Sequence, residues 1–187
     1  MKATEETTIR PLALTDHAEW LRMRRALWPE CSDDVHAYAM RIYSEEPERA
    51  QVFVHSRKDG SLGGFLEVCI RDRVEGSFCR RVGYIQSWYV DPDIRRKRIG
   101  RRLFDAAETW ARDQGVAEIG SDCGVGNDDS LAMHAAMGFE ETSRLAHFLK
   151  KIRTQDLDQA SDRAVSRRSP RRPFRTSTKN RVVVSLL

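Results

Sequence analysis

Residues 82–102 read VGYIQSWYVDPDIRRKRIGRR, and this stretch decides the fold. Its first nine residues, Val82–Val90, are mostly β-branched, aromatic or apolar, which predicts a buried strand. Asp91-Pro92 ends that strand, and six of the ten residues from Asp93 to Arg102 are cationic. From Ile99 onward, apolar residues recur at helical spacing. A strand that runs through a loop into a helix N-terminus presents unpaired N–H groups to an anion, so the stretch predicts a phosphate site. A solvated basic helix start or a nucleic-acid patch is the alternative.

On either side of this stretch, strand and helix signals alternate. Capping residues and prolines delimit the early helices, while turn residues separate the strands. The predicted order is β-α-α-β-β-β-α-β-α-β. Its elements are a strand at Thr8–Leu12, helices between Asp16 and Pro29 and between Ser32 and Pro47, strands at Gln51–His55, Gly64–Arg71 and Val82–Val90, a helix from Ile99 to Gly115, a strand at Val116–Cys123, a helix at Asn127–Met137, and two strand segments in Phe139–Lys151. This mixture predicts an α/β fold around one mixed sheet.

Helical periodicity also predicts which face of each helix is buried. In the second helix we expect the apolar residues to point inward, namely Val35, Tyr38, Ala39 and Ile42. In the helix that follows the basic loop we expect the inner face to carry Ile99, Leu103, Ala106, Ala107 and Trp110.

Composition indicates a globular domain with a basic extension. Of the 187 residues, 40% are hydrophobic and 32% charged, and no apolar run approaches the roughly 20 residues of a membrane-spanning helix. From Arg153 onward nine Lys/Arg stand against three Asp/Glu, a net of +6 within a total of +4, so residues 1–152 carry −2. We expect one domain at 1–152 and a disordered extension at 153–187. Four scattered cysteines and no visible signal peptide predict a cytoplasmic protein without a disulfide framework or a metal site.

The basic loop resembles the acetyl-CoA signature of the GNAT superfamily of N-acetyltransferases. Tyr89-Val90-Asp91-Pro92 followed by Arg95-Arg96-Lys97-Arg98-Ile99-Gly100 is similar to that family's strand, Pro and (Arg/Gln)-x-x-Gly-x-(Gly/Ala) before a helix. The resemblance implies a mixed, mostly antiparallel sheet flanked by helices on both faces, with acetyl-CoA as co-substrate. It also implies the residues that bind acetyl-CoA: Trp88, Tyr89 and Val90 beside the pantetheine arm, Arg95, Arg96, Lys97, Arg98, Ile99, Gly100 and Arg101 around the pyrophosphate, and Asn127.

Arg98 departs from this signature, because it stands where the first family glycine is expected. A left-handed backbone would strain an arginine by about 1 kcal/mol. If the position only donates a backbone N–H, an arginine fits there without strain. We expect this second alternative for Arg98.

A later segment, Ala132–Phe139, resembles the family's Tyr-x-x-x-Gly-Phe, whose tyrosine protonates the departing CoA thiolate. His134 stands in the place of that tyrosine. An imidazole can donate a proton near neutral pH, which makes His134 a candidate acid. A plain helix-surface histidine is the alternative.

Three stretches within Ile9–Ile152 resemble one subgroup, the aminoglycoside 6′-N-acetyltransferases. They are Trp20-Leu21-x-x-Arg24-x-x-Leu27-Trp28, then Ser121-Asp122 with Asn127 and His134, then Gly138-Phe139-Glu140-Glu141-Thr142 running into Phe148-x-Lys150. In that subgroup an acidic cleft binds a polycationic amino sugar. Trp28, Asp122 and Glu141 match its lining, since carboxylates bind ammonium groups and a tryptophan face stacks on a sugar or cation. Core burial of Trp28, a turn cap at Asp122 and a plain exposed residue at Glu141 are the alternatives.

The resemblance implies direct acetyl transfer to an amine, which would confer resistance to these antibiotics. Backbone N–H groups near Ser87–Trp88 would polarise the thioester carbonyl. Gln86 stands where the subgroup often has a glutamate, and it cannot accept a proton. Asp122, or a water held by Gln86 and Glu141, is therefore the candidate acceptor of the amine's proton.

Two other functions remain open on the sequence. One is a GNAT enzyme for another amine, such as a polyamine or a protein amino group. The other is a nucleic-acid-binding module that uses Arg95–Arg102 and the Arg-rich extension. The basic segments hold a single aromatic residue, Phe174, for stacking on bases, which argues against nucleic acid. The oligomeric state is left open, with a homodimer as one option.

Overall fold

One five-stranded sheet organises the part of the chain that the computed structural model describes, residues 8–150. The strands lie in the order of the chain: β1 (Thr8–Pro11), β2 (Ala50–Ser56), β3 (Leu62–Arg71), β4 (Val82–Val90) and β5 (Ile119–Ser121). The first three pairings are antiparallel and β4–β5 is parallel. The parallel pair requires a crossover, which the helix after the basic loop supplies.

Residues 8–150 contain four helices: α1 (His17–Leu27) and α2 (Asp33–Glu45) between β1 and β2, α3 (Ile99–Asp113) between β4 and β5, and α4 (Asp128–Ala136) after β5. Short 3-10 turns at Leu14–Asp16 and Pro92–Ile94 precede α1 and the basic loop. Within residues 8–150, no helix is both long enough and apolar enough to cross a membrane.

Strand alternation directs apolar side chains to both faces of the sheet. On one face, Val52 and Phe65 belong to a core cluster with Trp20 and Met23 of α1 and Met40 of α2. On the other face, the neighbouring residues Phe53 and Leu66 pack with Ile99, Leu103, Phe104 and Ala107 of α3, and Met133 of α4 borders this cluster. The predicted mixed, mostly antiparallel sheet with helices on both faces is confirmed.

The buried face of α2 differs from the prediction. Val35, Tyr38 and Ile42 are 43%, 63% and 42% exposed, whereas His36, Ala39 and Met40 are buried and Tyr43 packs against the core. Of the four residues expected to point inward, Ala39 alone does so, because the inner face begins with a histidine that an apolar pattern passes over.

The end of the sheet also differs. Only Ile119–Ser121 of the predicted Val116–Cys123 strand pairs with β4, and residues 139–150 contain neither helix nor strand. The predicted final strand segments are therefore wrong for residues 139–150, since apolar alternation gives a strand only when a neighbouring strand pairs with it. Lys151 and the proposed extension at 153–187 lie outside the described residues.

Candidate active site

A β-bulge at Gln86 marks the site on β4. Val68 of β3 lies opposite Ile85 and Glu67 opposite Ser87, so Gln86 is an extra residue in the pair. The parallel ladder to β5 covers Gly83–Ile85 and stops just before the bulge. Among the described residues, the β4 backbone after Ile85 therefore has β3 as its only strand neighbour. Bulges beside an interrupted ladder re-aim side chains and leave main-chain groups available to a ligand.

A buried carboxylate anchors the strand under this bulge. The Ser87 hydroxyl donates to Glu67 Oε2, and Trp20 Nε1 donates to Glu67 Oε1 at 2.9 Å. Arg24 of α1 forms an ion pair with the same carboxylate, and both side chains are fully buried. Glu67 thus joins helix α1, β3 and the bulged part of β4 at one point.

Two residues predicted for the acceptor side lie in one polar cluster. The Arg71 Nη2 atom donates to Gln86 Oε1 at 2.5 Å, and the Arg71 guanidinium lies 3.5 Å from the centre of the Tyr84 ring. The Tyr84 hydroxyl in turn donates to Asp122 Oδ1. Arg71 and Tyr84 were missed by the sequence argument. The strand pairing places Arg71 opposite Val82, four residues before Gln86, so no local sequence signal predicts the contact between Arg71 and Gln86.

His134 on α4 faces the end of β5. Its Nδ1 atom lies 2.7 Å from the Ser130 carbonyl oxygen, and its Nε2 atom lies 2.9 Å from the Ser121 hydroxyl. A carbonyl only accepts, so in this geometry Nδ1 donates to the Ser130 carbonyl oxygen and Nε2 of the neutral ring accepts from the Ser121 hydroxyl. The ring also packs edge-on against Phe139, with 5.1 Å between centroids.

The basic loop has two residues with left-handed backbones, Arg96 at φ 61° and Arg98 at φ 60°. The expectation that Arg98 only donates an N–H was wrong. Its position requires the positive φ that the family glycine adopts without strain. The first α3 hydrogen bond runs from Arg102 N to Arg98 O, so the N–H groups of Ile99, Gly100 and Arg101 precede the helical ladder.

Ion pairs hold the start of this loop. Arg57 bonds to both Asp91 and Asp93, at 2.9 and 2.7 Å, and Arg22 bonds to Asp91 at 3.1 Å. Hydrogen bonds from Arg57 lower the pKa of Asp93 to about 2. Burial acts to raise the pKa of Asp91, but the bonds from Arg22 and Arg57 outweigh it and lower that pKa. Arg95 ties the loop to the strand end through a 2.9 Å bond from Nε to Val90 O.

The surroundings of Trp88 fit a ligand at this loop. The Trp88 indole stacks on Phe104 of α3, with 5.6 Å between centroids. Its Nε1 donor is buried and has no partner among residues 8–150. A Cβ placed on Gly100 would lie 3.5 Å from that nitrogen. A buried N–H without an acceptor is costly, and a polar group of a bound ligand would satisfy it.

Three other residues predicted for the site, Asn127, Glu141 and Trp28, have three different environments. Asn127 caps α4, where its side chain accepts from Ser130 N at 3.1 Å. Glu141 is exposed beyond α4. Trp28 is only 3% exposed, and the Arg24 guanidinium lies 4.9 Å from its ring centre. Trp28 thus belongs to the core cluster that Trp20 and Met23 of α1 share with the sheet.

Comparisons with known proteins agree with this geometry. The model of the Acetyltransferase (GNAT) family matches residues 18–139. An aminoglycoside N(6′)-acetyltransferase type 1 of Klebsiella aerogenes is 36% identical, over 77% of this chain and 96% of that protein. The protein of the same name from Stenotrophomonas maltophilia is 37% identical, over 75% of this chain and 91% of its own.

Solved structures extend the likeness to three dimensions. The 6′-N-acetyltransferase AAC(6′)-Ih from Acinetobacter baumannii superposes with a TM-score of 0.72 at 30% identity, covering 79% of this chain and 99% of its own. The structure of AAC(6′)-Iy in complex with a CoA-acetylneamine bisubstrate analogue has a TM-score of 0.73 at 29% identity, covering 79% and 100%. With the bulged strand, the basic loop and these relatives together, the chain belongs to the GNAT family of acetyltransferases, and within it to the aminoglycoside 6′-N-acetyltransferases.

Proposed function

We propose that this protein transfers the acetyl group of acetyl-CoA to the 6′-amine of aminoglycoside antibiotics and so confers resistance to them. The observation that carries the proposal is the bulge at Gln86, which lies between the Arg71–Tyr84–Asp122 cluster and the loop that leads to Gly100. An acceptor site and an anion site thus adjoin on one strand.

The loop supplies the binding site for acetyl-CoA. Its cationic side chains and the first N–H groups of α3 attract the pyrophosphate, and Trp88, Tyr89 and Val90 line the pantetheine arm. Asn127 borders the same arm. When bound, acetyl-CoA supplies the acetyl thioester that the amine attacks.

The acceptor side supplies charge and a route for a proton. Asp122 and Glu141 bind ammonium groups of the sugar, and Asp122 takes the proton that the reacting amine loses. Backbone N–H groups at Ser87–Trp88 polarise the carbonyl. His134 becomes a proton donor for the leaving thiolate when Nε2 is protonated, because Nδ1 already holds its hydrogen against the Ser130 carbonyl.

An assay of thioester consumption tests the reaction. We expect turnover with kanamycin, and little with spermidine or a basic peptide. A preference for spermidine or the peptide would leave the GNAT fold intact but overturn the acceptor.

Loop variants test the acetyl-CoA site. Gly100→Glu places a carboxylate at an anion site, and Arg96→Glu with Arg101→Glu reverses two charges. Both should weaken acetyl-CoA binding in calorimetry while the domain stays folded. Gly100→Ala is the matched control, since its Cβ makes only ordinary contact with Trp88. Unchanged affinity in folded Gly100→Glu would refute the site.

Carboxylate variants test the acceptor side. Asp122→Asn keeps the shape and removes one charge, so kcat/KM for kanamycin should fall about 10- to 100-fold with acetyl-CoA affinity unchanged. Glu141→Gln should act in the same direction. Wild-type kinetics in Asp122→Asn would mean that this carboxylate only accepts the Tyr84 hydroxyl.

Three further expectations belong to the same proposal. We propose the cytoplasm as the compartment, supported by the absence of a disulfide among the described cysteines, Cys31, Cys69, Cys79 and Cys123. A protein shortened after Ile152 should keep its activity.

We expect the protein to bind no nucleic acid. A homodimer is one option for the oligomeric state, and sedimentation would distinguish it from a monomer.

A further inference from the structure

The outer face of α2 carries a line of exposed apolar side chains. Val35, Tyr38 and Ile42 are 43%, 63% and 42% exposed, and their spacing of three and four positions places them on one side of the helix. Ala39 and Met40 are buried on the side that faces the core. Single exposed apolar residues are ordinary on a protein surface, whereas a line of them along one helix marks a candidate interaction surface.

Charged residues flank this line in an order that is complementary to itself. Asp34 lies in the first turn of α2, and Arg41 lies about two turns later on the same flank of Tyr38. The Arg41 guanidinium lies 5.3 Å from the centre of the Tyr38 ring, and its Nε atom lies 3.2 Å from Glu45 Oε1. This exposed pair between Arg41 and Glu45 is weak, and a guanidinium has five N–H donors, so Arg41 can bind a second carboxylate.

We propose that this face of α2 binds the same face of a second copy of the chain, with the two helices antiparallel across a two-fold axis beside Tyr38. The α2 face consists of Asp34, Val35, Tyr38, Arg41 and Ile42. In a two-fold contact, each residue meets the same partner position in both copies. With Tyr38 at the axis, residues three or four positions before it meet residues three or four positions after it. Asp34 therefore meets Arg41 of the second copy on one flank, and Val35 meets Ile42 of the second copy on the other.

The order of the charges selects the antiparallel arrangement. A parallel pair of α2 helices would set Asp34 beside Asp34 and Arg41 beside Arg41, and it would align the two helix dipoles. The antiparallel pair contains two contacts between opposite charges, and its helix dipoles are opposed. Three apolar side chains from each copy form a contact smaller than that of a permanent complex, so we expect a weak dimer that forms as the protein concentration rises.

Sedimentation of the full-length chain with altered charges tests the interface. Asp34→Arg alone creates two contacts between like charges in each dimer, and so does Arg41→Asp alone. Each single variant should therefore dimerise about 10-fold more weakly than wild type, since two exposed ion pairs become repulsive. An equimolar mixture of the two variants regains both contacts between opposite charges, so it should form a heterodimer about as tightly as wild type dimerises. Glu108→Arg is the control, because Glu108 is an exposed partner of Arg112 on α3 and its loss should leave the dimer unchanged.

Three results would overturn the proposal. The first is a wild type that stays monomeric up to about 1 mM. The second is a dimer that the single variants leave unchanged or that their mixture does not restore, because such a dimer uses another surface. The third is a wild type that dimerises only after residues 153–187 are removed, which would mean that the extension, rather than a second copy, covers the α2 face. The altered positions are exposed, so urea denaturation should confirm that each variant keeps the wild-type midpoint.

Discussion

Removing the carboxylate of Glu67 should have the largest effect on stability of any single polar substitution in the sheet. The side chain is fully buried between α1 and β4, and it serves three donors: Trp20 Nε1, the Ser87 hydroxyl and the Arg24 guanidinium. Glu67→Ala leaves a buried positive charge and two buried donors without their acceptor.

The magnitude follows from these contacts. Breaking a buried ion pair by removing one partner costs about 3–5 kcal/mol, and each orphaned neutral donor costs about 1–3 kcal/mol, with incomplete additivity. We expect Glu67→Ala to lower the free energy of unfolding by at least about 4 kcal/mol, and Glu67→Gln, which keeps an acceptor, by roughly half as much. A loss of this size is a large fraction of the total stability of a domain.

A paired substitution separates the charge from the packing. Arg24 Nε and Nη2 have no partner among residues 8–150, so the buried charge is only partly compensated. Arg24→Met combined with Glu67→Met should therefore be more stable than Glu67→Met alone by at least about 2 kcal/mol.

Urea denaturation followed by tryptophan fluorescence measures these differences. The exposed pair Arg25–Asp33 is the control, because its loss in Asp33→Ala should leave the midpoint unchanged. Two results would refute the reasoning: a Glu67→Ala midpoint equal to that of wild type, or a double variant less stable than the single one.

Three other predictions concern the loop, its ion pairs and the core. Arg98→Gly should match wild-type stability to within about 0.5 kcal/mol, since relief of the left-handed strain offsets the added chain entropy, whereas Arg98→Val should lose about 1–2 kcal/mol in urea. The lowered pKa values of Asp91 and Asp93 mean that their ion pairs stabilise the protein fully above the unfolded carboxyl pKa of about 3.9, and that this stability is lost as the pH falls toward 2. Arg57→Ala should reduce the loss of unfolding free energy between those pH values. An unchanged slope of unfolding free energy against pH would contradict the role given to the Arg57 ion pairs. Trp28→Ala should lower the free energy of unfolding in urea by about 3–5 kcal/mol, as expected for a core residue. A loss under about 1 kcal/mol would instead favour the predicted position of Trp28 in the substrate cleft.

Local patterns in the sequence were sufficient to predict the elements that carry the proposed acetyl-CoA site. The apolar run at Val82–Val90, the stop at Asp91-Pro92 and the periodic α3 after the basic loop each depend on neighbours within a few positions. The same holds for α4, which was predicted at Asn127–Met137 and is capped by Asn127. Such signals act through backbone geometry and short-range hydrogen bonds, so they can be recognised in the sequence without knowledge of the tertiary structure.

Tertiary structure alone decided how the acceptor side is built. The Arg24–Glu67 pair joins residues 43 positions apart, and the Arg71–Gln86 bond joins residues 15 positions apart across a bulge. No periodicity predicts a buried charge or an extra residue in a strand, because both depend on what the opposite strand or helix presents. Periodicity failed to predict the buried face of α2 for the same reason, because tertiary neighbours rather than hydropathy decide that His36 is buried. The sequence by itself determined the fold class and the basic loop before α3, and the pairing of distant side chains determined the polar cluster around Gln86.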